Sequence, residues 1–158
     1  MITIEIFLLQ KLLRKAMIYQ LMIKINKLIK EANLTHKEIS EQTGRSGNWV
    51  NRVYNNSSDI TMSSLSKIIS VISEKIELDK YNLNALFDQK TLKIASTMSS
   101  LADENSISAT AFILSEKELF SDLMGDWGAL SERKKLSKKE KAVFEKLQKL
   151  LKDPLGGI

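Results

Sequence analysis

Glycine and proline are scarce, six and one among 158 residues. A sandwich or barrel of short strands needs a turn roughly every eight to twelve residues, and most such turns draw on these two residue types. The chain lacks that supply, so helices must dominate and the expected fold class is all-α. At 43% apolar and 27% charged residues the composition is that of an ordinary folded protein. The length suits one domain, or a small domain with an appendage. With no cysteine there is no disulfide, thiolate nucleophile or cysteine-bearing zinc site, and the single histidine, His36, cannot build a multi-histidine cage. No cofactor or metal is therefore expected. A phosphate-cradling glycine loop, a paired-carboxylate motif and a nucleophile-histidine arrangement are all missing, so an enzyme is not expected either. The formal charge of +5 admits polyanions as partners without establishing one.

Residues 1–21 are apolar with basic interruptions at Lys11, Arg14 and Lys15. Their longest uninterrupted apolar run, Ile6 to Leu9, is far below the ~20 residues of a membrane span. Glu5 precedes that run and the basic residues follow it, the reverse of a secretory signal, so the expectation is a cytoplasmic protein. As a helix, this stretch lines up Ile6, Leu9, Leu13 and Met17. The stripe suits packing on the rest of the chain, on another subunit or on a membrane surface, the first being the simplest. In-frame Met17 and Met22 leave open a later natural start, with residues 1–21 then an extension of no native standing.

Between residues 22 and 87 the patterning is denser. Ile25, Leu28, Ile29 and Ala32 recur at i, i+3, i+4 and i+7, and the helix they define ends near Asn33. Thr35 and Glu38 have the spacing of a capping box, opening a second helix over Thr35 to Gln42. Gly44 stands where a left-handed C-terminal cap is needed. Ser46 is placed to cap a third helix running from Asn48 through Trp49, Val50, Asn51, Arg52 and Val53 to Tyr54. A turn of about three residues forces the second and third helices to cross steeply, with Ile39, Val50 and Val53 holding the corner; this is helix-turn-helix geometry. After a polar loop, Thr61 caps a fourth helix striped by Leu65, Ile68, Ile69 and Ile72.

The run from Leu34 to Ser46, with Thr35, Glu38, Ile39, Ser40, Gly44 and Ser46, followed by Val50, Val53 and Asn55, resembles the lambda-repressor-like, Cro-type helix-turn-helix family of transcriptional regulators. The resemblance covers residues 22–87, and departs from the family at Asn56, where glycine is usual, and at His36, where glutamine is common. It implies a compact four- to five-helix DNA-binding domain whose third helix enters the major groove while the second crosses the backbone. Asn48 is then placed to contact adenine and Arg52 guanine, each in bidentate fashion. Asn51 lies beside them, either reading bases or simply facing solvent, and Trp49 either meets a thymine methyl or packs on the fourth helix. His36, Lys37, Arg45, Ser46, Asn55 and, more weakly, Ser57 and Ser58 fall where phosphate oxygens would lie. From Gln42 to Ser58 there are two arginines and no acid, which favours a polyanionic partner.

Residues 88–158 read as a helical dimerisation or partner-binding region. Ile94, Met98, Leu101 and Ala102 suggest a helix, and Ile107 to Leu114 a brief strand or extended linker. Ser115 with Glu118, and Ser137 with Glu140, are two further capping-box spacings. They open helices striped by Phe120, Leu123, Met124 and Trp127, and by Val143, Leu147 and Leu150 with Phe144 and Leu151, the last stopping at Asp153-Pro154. Residues 81–132 hold 3 basic and 8 acidic side chains, whereas residues 133–152 hold 9 basic and 2 acidic. The basic run reads either as extra phosphate contact or, preferably, as a solvated helix face drawn to the acidic segment. Taken together, the expectation is a homodimeric repressor of a mobile-element or phage-type operon that binds double-stranded DNA at an inverted repeat. Alanine-glycine and cysteine-glycine dipeptides are absent, so relief by a protein inducer or anti-repressor is expected rather than self-cleavage. The alternative is an antitoxin or anti-defence protein whose C-terminal half binds a protein target while the helix-turn-helix autoregulates.

Overall fold

A computed structural model describes residues 3–56, 61–76, 86–102, 104 and 109–153, with side chains described throughout these except at 53–56 and 62. Eight α-helices and no strand occur among the described residues: α1 (Ile6–Glu31), α2 (His36–Gln42), α3 (Trp49–Asn56), α4 (Met62–Lys75), α5 (Gln89–Leu101), α6 (Ala109–Ser115), α7 (Lys117–Glu132) and α8 (Lys138–Lys152). The all-α expectation is met. No helix among these residues is long and apolar enough to cross a membrane.

The chain divides into two compact units, one of residues 18–91 and the other of Met1–Met17 with Leu92–Ile158. In the first, Ile25, Leu28 and Ile29 of α1, Leu34, Ile39 of α2, Val50 of α3, and Ile68, Val71 and Ile72 of α4 form one buried cluster. Trp49, Leu65 and Leu86 pack against it from its margin. Helix α1 ends in a Schellman cap: Asn33 takes φ +56°, the Asn33 N–H donates to Lys30 O, and the Leu34 N–H donates to Ile29 O. Asp88 caps α5 by accepting the Thr91 N–H at 3.0 Å, and it pairs with Lys24 at 3.0 Å.

In the second unit, Ile4, Leu9, Leu12, Leu13 and Ala16 are buried with Ile94, Leu101, Ile113, Phe120, Leu123, Trp127, Val143, Leu147 and Leu150. The Trp127 indole N–H donates to Leu12 O at 2.8 Å. Ser137 and Glu140 form the complete capping box of α8, and the Lys15 ammonium donates to Glu140 Oε1 at 2.6 Å and to Lys135 O at 2.8 Å. The residues read as an N-terminal extension thus supply core to the C-terminal unit. Their stripe is also wider than the sequence suggested, since Leu8, Leu12 and Ala16 join Leu9 and Leu13.

Some local expectations need correction. Residues 109–115 are helical, not a strand or extended linker. Ala109, Thr110 and Ile113 are buried at i, i+1 and i+4, a helical spacing that an apolar run of this length shares with a strand. The Ser115/Glu118 capping box does not form: Ser115 is the last residue of α6 and its hydroxyl donates back to Phe112 O at 2.6 Å, leaving α7 without a side-chain cap. Helix α3 begins at Trp49, and the Ser46 hydroxyl is not its cap, so the link between α2 and α3 is longer than the expected three residues.

Candidate nucleic-acid interface

The polar residues singled out in the sequence gather around α2, the link that follows it, and α3. The link is built from backbone geometry. Gly44, at φ +75°, closes a second Schellman cap in which the Arg45 N–H donates to Ser40 O and the Gly44 N–H to Glu41 O. The chain then turns at Ser46, whose carbonyl accepts the Trp49 N–H at 3.0 Å, and α3 opens with the Arg52 N–H donating to Asn48 O at 3.0 Å. Asn48 therefore occupies the position before the first helical residue, exposed.

What fixes α3 against α2 is Ser40, fully buried. Its hydroxyl donates to His36 O at 2.8 Å and accepts the Val50 N–H at 3.0 Å. Val50 is the second residue of α3, so its N–H is one of the four that a helix N-terminus leaves without an internal partner. A serine on one helix thus does the work of an N-cap on the next. Beside it, Val50 and Ile39 are wholly buried and close the corner between the two helices.

Several side chains converge on the outer surface of this pair. Asn48, Asn51, Arg52, Arg45 and Ser46 are all exposed. The Arg52 guanidinium donates to the Ser46 hydroxyl at 2.7 Å. Arg45 lies over the Trp49 ring, 5.6 Å from its centroid, while Trp49 itself is half-buried at the edge of the core. One side of the ring packs inward, as the packing reading expects, and the Arg45 cation covers it from outside.

His36 and Lys37 stand differently. His36 is half-buried, and its Nδ1 lies 2.7 Å from Asn51 Oδ1 and its Nε2 2.9 Å from Asn26 Oδ1. A neutral imidazole donates through one nitrogen only, so in that state one of the two asparagines turns its amide N–H toward the ring. The bridge ties α1, α2 and α3 together and holds Asn51 in place. Exposed Lys37 approaches Glu41 at 4.0 Å across one helical turn. Gly47 sits against this pair: a Cβ there would lie 3.2 Å from Lys37 Cγ and 3.6 Å from Glu41 Oε1. Counting charge from Gln42 onward missed that acid, which the fold brings beside the link. Ser57 and Ser58 lie outside the described residues, as do the side chains of Val53 and Asn55.

Three residues of this site escaped the sequence reading: Ser40 as a tertiary cap, Asn26 as a partner of His36, and Glu41 as a neighbouring negative charge. None of the three carried a local signal in the sequence. Neither the protein-family models, nor the curated proteins, nor the solved structures contain a match to this chain.

Proposed function

We propose that the chain is a sequence-specific DNA-binding transcriptional regulator of the lambda-repressor-like kind, with α3 lying in the major groove. The observation that carries this reading is the exposed set of Asn48, just before α3, with Asn51 and Arg52 on α3, a short helix whose N-terminus is locked to α2 by the buried Ser40 hydroxyl. Base reading requires side chains held on a rigid element, because affinity is lost when the readers must first be ordered. In this account Asn48 meets adenine and Arg52 meets guanine. Arg52 exchanges its contact with Ser46 for the base edge, and Arg45 and Ser46 then face phosphate oxygens. His36 acts by positioning Asn51, since its two ring nitrogens are both turned to asparagines.

One such element spans too few base pairs for useful specificity, so the functional species is a homodimer on an inverted repeat, its half-sites about 34 Å apart. Occupancy of an operator would repress transcription, with relief by a protein inducer. Selection from a random duplex pool by the full chain tests the reading. An inverted repeat enriched by the wild-type chain and lost with Asn48→Ala/Arg52→Ala supports it, and a pool left without consensus overturns it.

A further inference from the structure

Helix α8 carries a lysine-rich face that takes no part in the proposed base reading. Its buried residues Glu140, Val143, Phe144, Leu147 and Leu150 occupy one side. At about 100° per residue, Lys138, Lys139, Lys141, Lys146, Lys149 and Lys152 fall within an arc of roughly 160° on the other side. Lys138, Lys139, Lys141, Lys149 and Lys152 are exposed, as is Lys134 in the preceding turn. Among the described residues none of Lys134, Lys138, Lys139, Lys141, Lys149 and Lys152 makes an ion pair or a side-chain hydrogen bond, whereas the Lys146 ammonium donates to Thr3 O at 3.2 Å. The expected pairing of this run with the acidic segment is thus not made by these lysines. Within α8 the lysine arc contains a single acid, Glu145. Lys138 and Lys139 also sit in the first turn, where the positive end of the helix dipole disfavours cations.

We infer that this lysine face is a contact surface for the phosphate backbone of duplex nucleic acid, separate from the base-reading residues of α3 and not dependent on them. From Lys138 to Lys152 the face runs about 21 Å, so it can meet several phosphates of one backbone. Lysines act as point charges without the bidentate fork of arginine, so the contact is indifferent to sequence. A membrane surface fits less well. An interfacial helix inserts its apolar side into lipid, and that side of α8 is closed into the protein core, with Leu147 and Leu150 fully buried.

The test is a titration of a random-sequence duplex with the full-length chain over a range of KCl, using wild type, Lys138→Gln/Lys139→Gln/Lys141→Gln, the same three positions as Arg, and Asn48→Ala/Arg52→Ala. Neutral residues at the first turn of α8 suit its dipole, so the glutamine variant keeps its fold, checked by circular dichroism. Its expected affinity is on the order of ten-fold below wild type at low salt. The slope of log affinity against log salt should flatten by roughly 2 to 3, about 0.9 for each phosphate that is no longer neutralised. The arginine variant should match wild type. Equal affinity and slope for wild type and the glutamine variant would overturn the inference, as would a wild-type chain that fails to bind random duplex. In a parallel titration with phosphatidylserine vesicles, a glutamine variant that loses vesicle binding but keeps duplex binding would overturn the inference and assign the face to membranes instead. The α3 double variant keeps the two claims apart: it should lose preference for the selected repeat while holding its random-duplex slope.

Discussion

Replacing Ser40 with alanine removes one oxygen atom and should loosen α3 from α2. In the wild-type structure that oxygen is buried, donates to His36 O at 2.8 Å and accepts the Val50 N–H at 3.0 Å. The His36 carbonyl keeps a role in the ladder of α2, so the effect there is small. The Val50 N–H, in contrast, is left buried at a helix N-terminus with no acceptor, which costs about 1 to 3 kcal/mol. Loss of an N-cap alone is worth ~1 kcal/mol, consistent with the lower end of that range. A central figure of ~2 kcal/mol corresponds to a fall of roughly 8 to 16 °C in the melting temperature of a unit of this size. Amide exchange at Val50 reads the effect locally: its protection should drop about thirty-fold if the opening costs 2 kcal/mol less. Binding to a selected operator should weaken as well, because α3 must be re-ordered on contact. A Ser40→Ala stability within ~0.3 kcal/mol of wild type would show that the bond from Val50 is not what secures the helix.

Substitutions at Gly44 and at Glu140 probe one feature in each of the two units. Gly44→Ala places a Cβ in open space, with nothing within 4 Å, but at φ +75°; the cost is backbone strain alone, ~1 to 2 kcal/mol by denaturant titration, and Gly44→Asn should cost less. Burial opposes ionisation of Glu140, yet the Lys15 ammonium and the Ser137 N–H outweigh it and hold its carboxyl below the ordinary 4.5. A carboxyl with a depressed folded-state pKa contributes stability above its unfolded pKa and loses that contribution as pH falls through the folded one. Stability measured from pH 7 downward should therefore decline below about 4.5 in wild type, and less so in Glu140→Gln. At pH 7 that variant should be destabilised by about 2 to 4 kcal/mol, since Lys15 loses its counter-charge.

The helical class could be read from the shortage of turn residues, and the core positions Ile39, Val50, Ile68 and Ile72 from their spacing; in α4, however, Val71 is buried while Leu65 and Ile69 are only partly so. Thr35, Thr61 and Ser137 cap the helices they were expected to cap, each accepting the N–H three residues on. Thr35 does so without the reciprocal half of a box, because Glu38 Oε1 accepts from the threonine hydroxyl rather than from its backbone N–H. Ser115 shows the limit of the same rule. A serine three residues before a glutamate caps a helix only if the chain is not already helical at the serine, and the preceding apolar run gave no way to decide that. Tertiary pairings were harder still. Nothing local in residues 1–17 says that their apolar stripe belongs with a segment beginning at Leu92, since association across that distance depends on the whole core being assembled. Likewise Ser40 capping α3 is a contact between helices, invisible to rules that look three or four residues ahead. At the candidate interface Asn48, Asn51 and Arg52 are exposed, as base reading and a solvated face both require, while the inward turn of His36 toward two asparagines did not follow from its position.

The central claim is that Arg52 and Asn48 read bases from a helix held by Ser40. Parallel selection from one random duplex pool with the wild-type chain and with Arg52→Ala tests it most directly. Wild type should enrich an inverted repeat containing a guanine in each half-site. The variant should enrich the same repeat with that base pair alone degenerate, at a loss of about 1 to 3 kcal/mol in affinity. Identical consensus sequences from the two proteins, or none from either, would contradict it.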